Sequence, residues 1–262
     1  MRTMNLDLRN NALIKSVKHA DYLLLAREAT VAAHQRSEVL FDVGVLNDST
    51  YFPLDGTMLS LRLVFAPTLV AEVATVGCEG AVGIGPNPAV HAPSAEPGLP
   101  YRCVVQLAGP VAQISTARLA ELAATSPSLA AVLSSYAETP VTSYARWQAA
   151  CTALNPLKRR LATWLLLAHD RQSHSSMTEY RPLPVTQDSL AKMLSVRRPS
   201  ISIVLAELEQ EGAVHRWHGA LAVTDRSALE AAACGSYPAL RRIMGLAPRP
   251  DQQPSVARGP SN

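Results

Sequence analysis

The stretch Leu183–Asp225 constrains this chain most, because it carries the marks of two helices joined by a short turn and followed by a two-stranded wing. Thr186 is an N-cap residue, and Leu190, Met193 and Leu194 recur behind it at helical spacing. Ser195-Val196 interrupts the pattern, and Arg197-Arg198-Pro199 opens a second helix. Proline suits a first turn, where the amide it lacks would have no intrahelical partner. The second helix runs through Ile201, Val204, Leu205 and Leu208 to a C′ stop at Gly212. Counting the motif from Gln187, small residues fall where the helices cross, at Ala191 and Ser195. Apolar ones fall between helices and core, at Leu190, Leu194, Val196, Ile201 and Val204. The remaining face shows Arg197, Arg198, Ser200, Ser202 and Ile203, with Thr186, Gln187 and Pro199 at its margin. Such a helix can place its N-terminal residues in a major groove, with hydroxyls near phosphate. Val214–Thr224 reads as two strands around His218-Gly219, a wing that adds Arg216 and His218 to the backbone-facing surface. Two amphipathic helices of an ordinary α-domain are the plainer alternative. The order helix, turn, helix, wing favours DNA.

At 262 residues the chain can hold two cores. Its net charge of +3 hides an asymmetry: residues 1–150 hold 10 Lys/Arg against 12 Asp/Glu, and residues 151–262 hold 14 against 9. The positive half is the one with the helix pair, as attraction to phosphate requires. No apolar run is long enough for a membrane span. The start, Met1-Arg2-Thr3-Met4-Asn5, has neither a signal core nor a cleavage site, so a cytoplasmic protein is expected. Cys78, Cys103, Cys151 and Cys234 stand apart in sequence, with no zinc or iron–sulfur spacing, and read as buried thiols in a reducing compartment. No metal site, no cofactor and no catalytic constellation is read. The histidines are scattered, and no serine sits in a nucleophile-elbow context.

Upstream, Leu13, Ile14, Val17, Leu23, Leu24 and Leu25 mark a helical segment facing a core. From Thr30 the period becomes that of short strands: Thr50–Leu54 meets an Asp55-Gly56 hairpin signal, and Met58–Phe65, Val70–Val76, Tyr101–Leu107 and Val111–Ser115 follow. A small antiparallel roll is the expected architecture. Gly77, Gly80, Gly83 and Gly85 make a glycine-rich loop, read either as tight turns of the roll or as a cradle for an anionic ligand. Residues 86–100, with five prolines, read as a surface loop. Thr116–Ala124 reads as a short helix, and Ser126-Pro127 starts a long one that Pro140 should kink. Its apolar stripe, Leu129, Val132, Leu133, Tyr136, Tyr144 and Trp147, is read as a dimer seam, with plain core as the alternative. Asn155-Pro156 caps the next helix, which carries Lys158, Arg159 and Arg160 toward its exposed side.

This order of parts resembles the Crp/Fnr family of bacterial transcription regulators over about residues 12–234. The resemblance is carried by Thr186–Ser200, by Tyr51-Phe52-Pro53 with Gly56, by the Gly77–Gly83 turn and by Leu161–Asp170. It implies an α+β protein with an N-terminal antiparallel β-roll sensor of the cyclic-nucleotide-binding type (residues 1–127). A linker or dimerisation helix (128–155) and a winged helix-turn-helix (156–234) complete it, and the tail beyond (235–262), with four prolines after Gly245, reads as largely disordered. The implied partners are a second copy of the chain, a near-palindromic double-stranded operator and RNA polymerase. Arg198 falls at the family's base-reading arginine, able to pair with guanine O6 and N7. The next positions hold Pro199 and Ile203, so the operator should differ from the family consensus. In the roll, Ile84 stands where the resemblance implies a ribose-binding glutamate, and Leu99-Pro100 where it implies the phosphate-binding arginine and hydroxyl. Arg102 lies about three positions late, and with Gly77, Gly80 and Gly83 it forms the candidate ligand set. A cyclic phosphate without its arginine loses a charge-assisted contact, so cyclic AMP is not the expected effector.

The reading is therefore a dimeric regulator sensing an unidentified signal. Its competitors are a constitutive DNA binder with a degenerate roll and a ligand-sensing protein-interaction module.

Overall fold

A computed structural model describes residues 7–45, 48–66, 69–84, 101–138, 140–173, 182–217 and 219–246. The proline-rich stretch 86–100, the side chain of Tyr144, His218 and residues 247–262 lie outside it. At the start, buried Asn11 caps helix α1 (Ala12–Ser16) by accepting the Leu13 and Ile14 amides. Its Nδ2 donates to Pro53 O at 3.0 Å and Gly80 O at 2.7 Å, so one side chain ties the entry helix to a strand end and to the glycine turn. Helix α2 (His19–Glu28) buries Leu25 but exposes Leu23 and Leu24. The sequence reading put all three on the core. Successive helical residues point about 100° apart, so three in a row cannot share one face.

The roll is two antiparallel sheets. In one, β7 (Gly109–Ser115) lies between β1 (Thr30–His34) and β3 (Ser49–Pro53). In the other the order is β2 (Val39–Phe41), β6 (Arg102–Leu107), β4 (Met58–Ala66), β5 (Leu69–Val76). The Asp55-Gly56 turn has both residues at positive φ, 45° and 79°, as a primed turn requires. It does not close a hairpin, however: β3 and β4 belong to different sheets, and the turn carries the chain across the corner. Strand β4 alternates in sequence, yet Met58, Leu59, Ser60 and Leu61 are all buried. One face fills the roll, and the other is covered by later helices.

That cover comes from α5 (Pro140–Leu154) and α7 (Gln187–Met193), which pack on β5, and from the end of α6 (Leu157–Ser173). Arg171 of α6, 1% exposed, donates to Thr75 Oγ1 (2.9 Å) and Thr75 O (3.0 Å) of β5 and pairs with Glu79 at 2.7 Å. Met193 of α7 meets Gln106 of β6. Leu59 and Leu61 of the roll share one apolar cluster with Trp164, Leu165, Leu190 and Leu205. A second cluster joins Phe52, Leu54 and Ile114 to Leu13, Ile14, Leu25, Leu119 and Leu129.

After the short α3 (Thr116–Thr125), the long linker of the sequence reading is described as α4 (Pro127–Glu138) and α5 (Pro140–Leu154), with residue 139 between them outside the described residues. The kink expected at Pro140 turns on residue 139, which lies outside the described residues. The start of the tail, read as loose, is helical. Beyond Cys234, helix α10 (Tyr237–Ile243) forms, and Tyr237, Leu240, Met244 and Leu246 are buried. Buried Asp170 of α6 anchors it, accepting from Tyr237 Oη at 2.7 Å and pairing with Arg241 at 3.2 Å.

Candidate nucleic-acid interface

Helix α7 begins with a reciprocal cap. Thr186 Oγ1 accepts from Ser189 N (3.2 Å), and Ser189 Oγ accepts from Thr186 N (3.0 Å). Ser195, in the turn, has φ 54°, the left-handed conformation that reverses the chain in so few residues. Helix α8 (Arg198–Gln210) then buries Ile201, Val204, Leu205 and Leu208, and Gly212 at φ 74° follows its end. Strands β8 (Val214–Trp217) and β9 (Ala220–Val223) pair in register around Gly219 at φ 76°. Leu183 bridges to Leu221, so the wing is stitched to the entrance of the helix pair. Helix α9 (Arg226–Ala232) packs on α6.

The outward face of α8 presents Arg197, Arg198 and Pro199, all exposed, and Ile203, 62% exposed. Ser200 and Ser202 are half-buried; Ser202 Oγ donates to Gln187 Oε1 at 2.7 Å, which couples the two helices at their crossing. Thr186 is held from the roll, where Arg36 donates to its hydroxyl and to Pro184 O, both at 3.2 Å. Arg216 is not the free backbone-contacting cation that the sequence suggested. Glu209 of α8 takes its Nε at 2.6 Å and its amide at 3.0 Å, and the Arg216 guanidinium and amide hold the Glu209 carboxyl below the usual carboxylate range. Lys158 likewise pairs with Glu211 at 2.6 Å, and Arg160 donates to Leu194 O at 2.7 Å. Trp217, which sequence reasoning passed over, is 51% exposed and stands edge-on to His215 at 4.6 Å between centroids. The alternation of β8 would have found it, since His215 and Trp217 share the strand's exposed face. Between wing and helices lies a groove of about 380 Å³ lined by Thr186, Gln187, Arg198, Arg216, Trp217 and Gly219.

The model for the Crp-like helix-turn-helix domain matches residues 159–232. Those residues, under a third of the chain, are similar to a Crp-like helix-turn-helix domain. About four-fifths of the chain shares its fold with solved structures that include a Crp/Fnr-family regulator. FixK2 from Bradyrhizobium japonicum is 15% identical, with TM-score 0.63 over 79% of this chain and 98% of that one. A Crp/Fnr-family transcriptional regulator from Thermus thermophilus is 19% identical, with TM-score 0.58 over 78% and 97%. The c-di-GMP responsive global regulator CLP of Xanthomonas campestris is 14% identical, with TM-score 0.58 over 79% and 100%. The comparison with curated proteins found no match.

The roll that accompanies the Crp-like domain has its glycine turn filled from within. A Cβ on Gly80 would lie 2.5 Å from Tyr136 Cζ, and one on Gly77 would lie 2.7 Å from Arg171 Cδ. Tyr136 Oη accepts from Ala81 N (2.9 Å) and donates to Ala81 O (3.1 Å), and burial raises its phenol pKa. Gly83, at φ 85°, receives the Thr50 hydroxyl on its carbonyl at 3.1 Å. Arg102 pairs bidentately with Asp42, at 2.8 Å through both Nε and Nη2. The four candidate ligand residues thus do not converge on an open cradle. The dimer-seam set also divides. Leu129 and Leu133 are buried against the roll, and Tyr136 is bonded into its turn, so this part of α4 is intramolecular core. Val132 is half-buried beside an open groove with Leu13 and Ser16, and on α5 Trp147 (36%) and Leu154 (80%) are exposed. Among the described residues no group of His, Cys, Asp and Glu could hold a metal, and no helix is long and apolar enough to cross a membrane.

Proposed function

We propose that the protein is a homodimeric, sequence-specific DNA-binding regulator, with the N-terminal turn of α8 reading bases in the major groove. The observation that carries this reading is the exposed Arg197-Arg198-Pro199 turn on a Crp-like domain whose other surface cations are largely paired with acids. Arg198 is the base-reading arginine, Ile203 offers an apolar contact to a thymine methyl, and Arg197, Ser200 and Ser202 lie toward phosphate. Trp217 extends the wing along the backbone. Two copies meet through α5, where Trp147 and Leu154 stand two turns apart, with Val132 at the edge of the contact. RNA polymerase is a further partner of such a regulator, which works in the cytoplasm.

The test is binding of the purified protein to genomic fragments, its own upstream region included, over a salt series with Arg198→Ala alongside. Tight footprinted binding to a near-palindrome, steeply weakened by salt and by about 1–3 kcal/mol in the variant, is the expected result. Weak binding indifferent to sequence, with and without metabolite effectors, would overturn it in favour of a protein-interaction module. A second reading, a DNA binder that needs no effector, is favoured by one observation: Tyr136 and Arg171 fill the glycine turn and Asp42 takes Arg102. Footprinting without added effector separates the two.

A further inference from the structure

Four polar groups from three elements meet where the linker helix touches the Crp-like domain. Cys151 of α5 lies 2.9 Å (Sγ to Oγ) from Ser236, and the Cys234 amide donates to Thr163 Oγ1 of α6 at 2.8 Å. Cys151 and Cys234 both line a cavity of about 20 Å³, room for one water, with Arg160 and Thr163 in its wall. Helix α10 packs on α5 at this point. The other two cysteines have no such neighbour: Cys78 sits in the glycine turn beside Arg171, its thiol pushed up to about 12 by burial, and Cys103 is inside the roll.

We infer that Cys151 and Cys234 are a dithiol site that closes reversibly to a disulfide. The oxidant is a peroxide, and the reductant that reopens the bond is a low-molecular-weight thiol. The Cys151 thiolate, on the less buried residue, attacks one peroxide oxygen and releases water, becoming a sulfenic acid. Cys234 sulfur then attacks Cys151 sulfur, the hydroxyl leaves as a second water, and the two thiols have lost two electrons and two protons to the peroxide. Burial, and Cys151 beside it, raise the Cys234 thiol, so the second step runs faster as pH rises. The bond would span the Asn155-Pro156 junction and enclose α6 to α9, the entire Crp-like domain. Oxidation would thus fasten α5 to the domain that α5 must carry to its half-site. The effect on DNA rests on the proposed function, whereas the bond itself does not.

The experiment takes the reduced full-length protein, treats it with hydrogen peroxide under native conditions and maps its peptides by mass spectrometry without reduction. The expected product is an intramolecular Cys151–Cys234 bridge, reversed by dithiothreitol, with Cys78 and Cys103 still free. Cys151→Ser and Cys234→Ser should each abolish it. Bridges that form only in denaturant, involve Cys78 or Cys103, or join two chains would overturn the inference. Operator binding is then compared between the two redox forms, and the bridged form should bind about tenfold more weakly, a coupling of ordinary size. Equal affinity would refute the regulatory consequence while leaving the site. Failure of both forms to bind any DNA would instead strike the proposed function.

Discussion

Replacing Gly80 by alanine tests whether the glycine turn of the roll is packed from inside. Gly80 lies outside the left-handed region, so alanine there carries no backbone strain. The cost is steric. The new Cβ would run into Tyr136 Oη first, with Cζ at 2.5 Å and Cε2 at 2.6 Å, against an ordinary contact of 3.4 Å or more, so the ring must retreat by at least about 0.9 Å. A rigid phenol cannot yield by rotating a bond at its far end. Its movement stretches both hydrogen bonds to Ala81, now 2.9 and 3.1 Å. Losing two bonds costs about 1–3 kcal/mol, and overpacking adds about 1–3 kcal/mol, so Gly80→Ala should destabilise by about 2–6 kcal/mol. Urea unfolding of a double-mutant cycle with Tyr136→Ala isolates the contact. On the Tyr136→Ala background the same glycine substitution should cost less than about 1 kcal/mol, because the obstructing ring is gone. If Gly80→Ala costs about the same with and without the ring, the turn is not filled by Tyr136 and the open-cradle reading returns.

Glu79→Ala leaves the Arg171 guanidinium buried without its carboxylate, and urea unfolding should show a loss of about 3–5 kcal/mol. Arg171→Met, which removes the charge and keeps much of the volume, should cost clearly less; equal losses would show that the pair matters only as packing. Glu72, on β5, accepts from Ser60 at 2.7 Å and Gln106 at 3.0 Å and faces Arg62 and Arg171, yet desolvation raises its pKa. Its contribution to stability is therefore full at acid pH, below the unfolded carboxyl's pKa, and is lost as pH rises through the raised folded value. Glu72→Gln stays neutral throughout, so its urea midpoint should fall less than that of the parent between mildly acid and alkaline pH. Parallel curves would contradict that account.

Much of the helix-turn-helix part was legible in the sequence because its signals are local. A cap at Thr186, a break at Ser195-Val196, proline in the first turn of α8 and Gly212 behind it each act over a few residues of backbone. The roll's strands were legible by their period, and the glycine turn by its composition. The candidate reading residues follow from the same periodicity, since the apolar positions of α8 dictate which side chains are left facing out.

What the sequence by itself determined, then, is where helices and strands begin, which faces are apolar, and the order of domains that makes a Crp-like architecture. Only the tertiary structure decided what each apolar or charged face meets. Leu129, Leu133 and Tyr136 read as a seam for a partner because a stripe looks alike whether a second chain or the chain's own roll covers it. Arg216 reads as a phosphate contact until Glu209, seven residues before it, turns out to hold it. Tyr237–Ile243 reads as loose tail because its anchor, Asp170, lies more than sixty positions upstream. Arg171 of α6 and Thr75 and Glu79 of the roll meet across more than ninety residues. Hydrogen bonds and burial between segments so distant leave no periodic trace in the chain, because they depend on how finished elements pack and not on how each one forms.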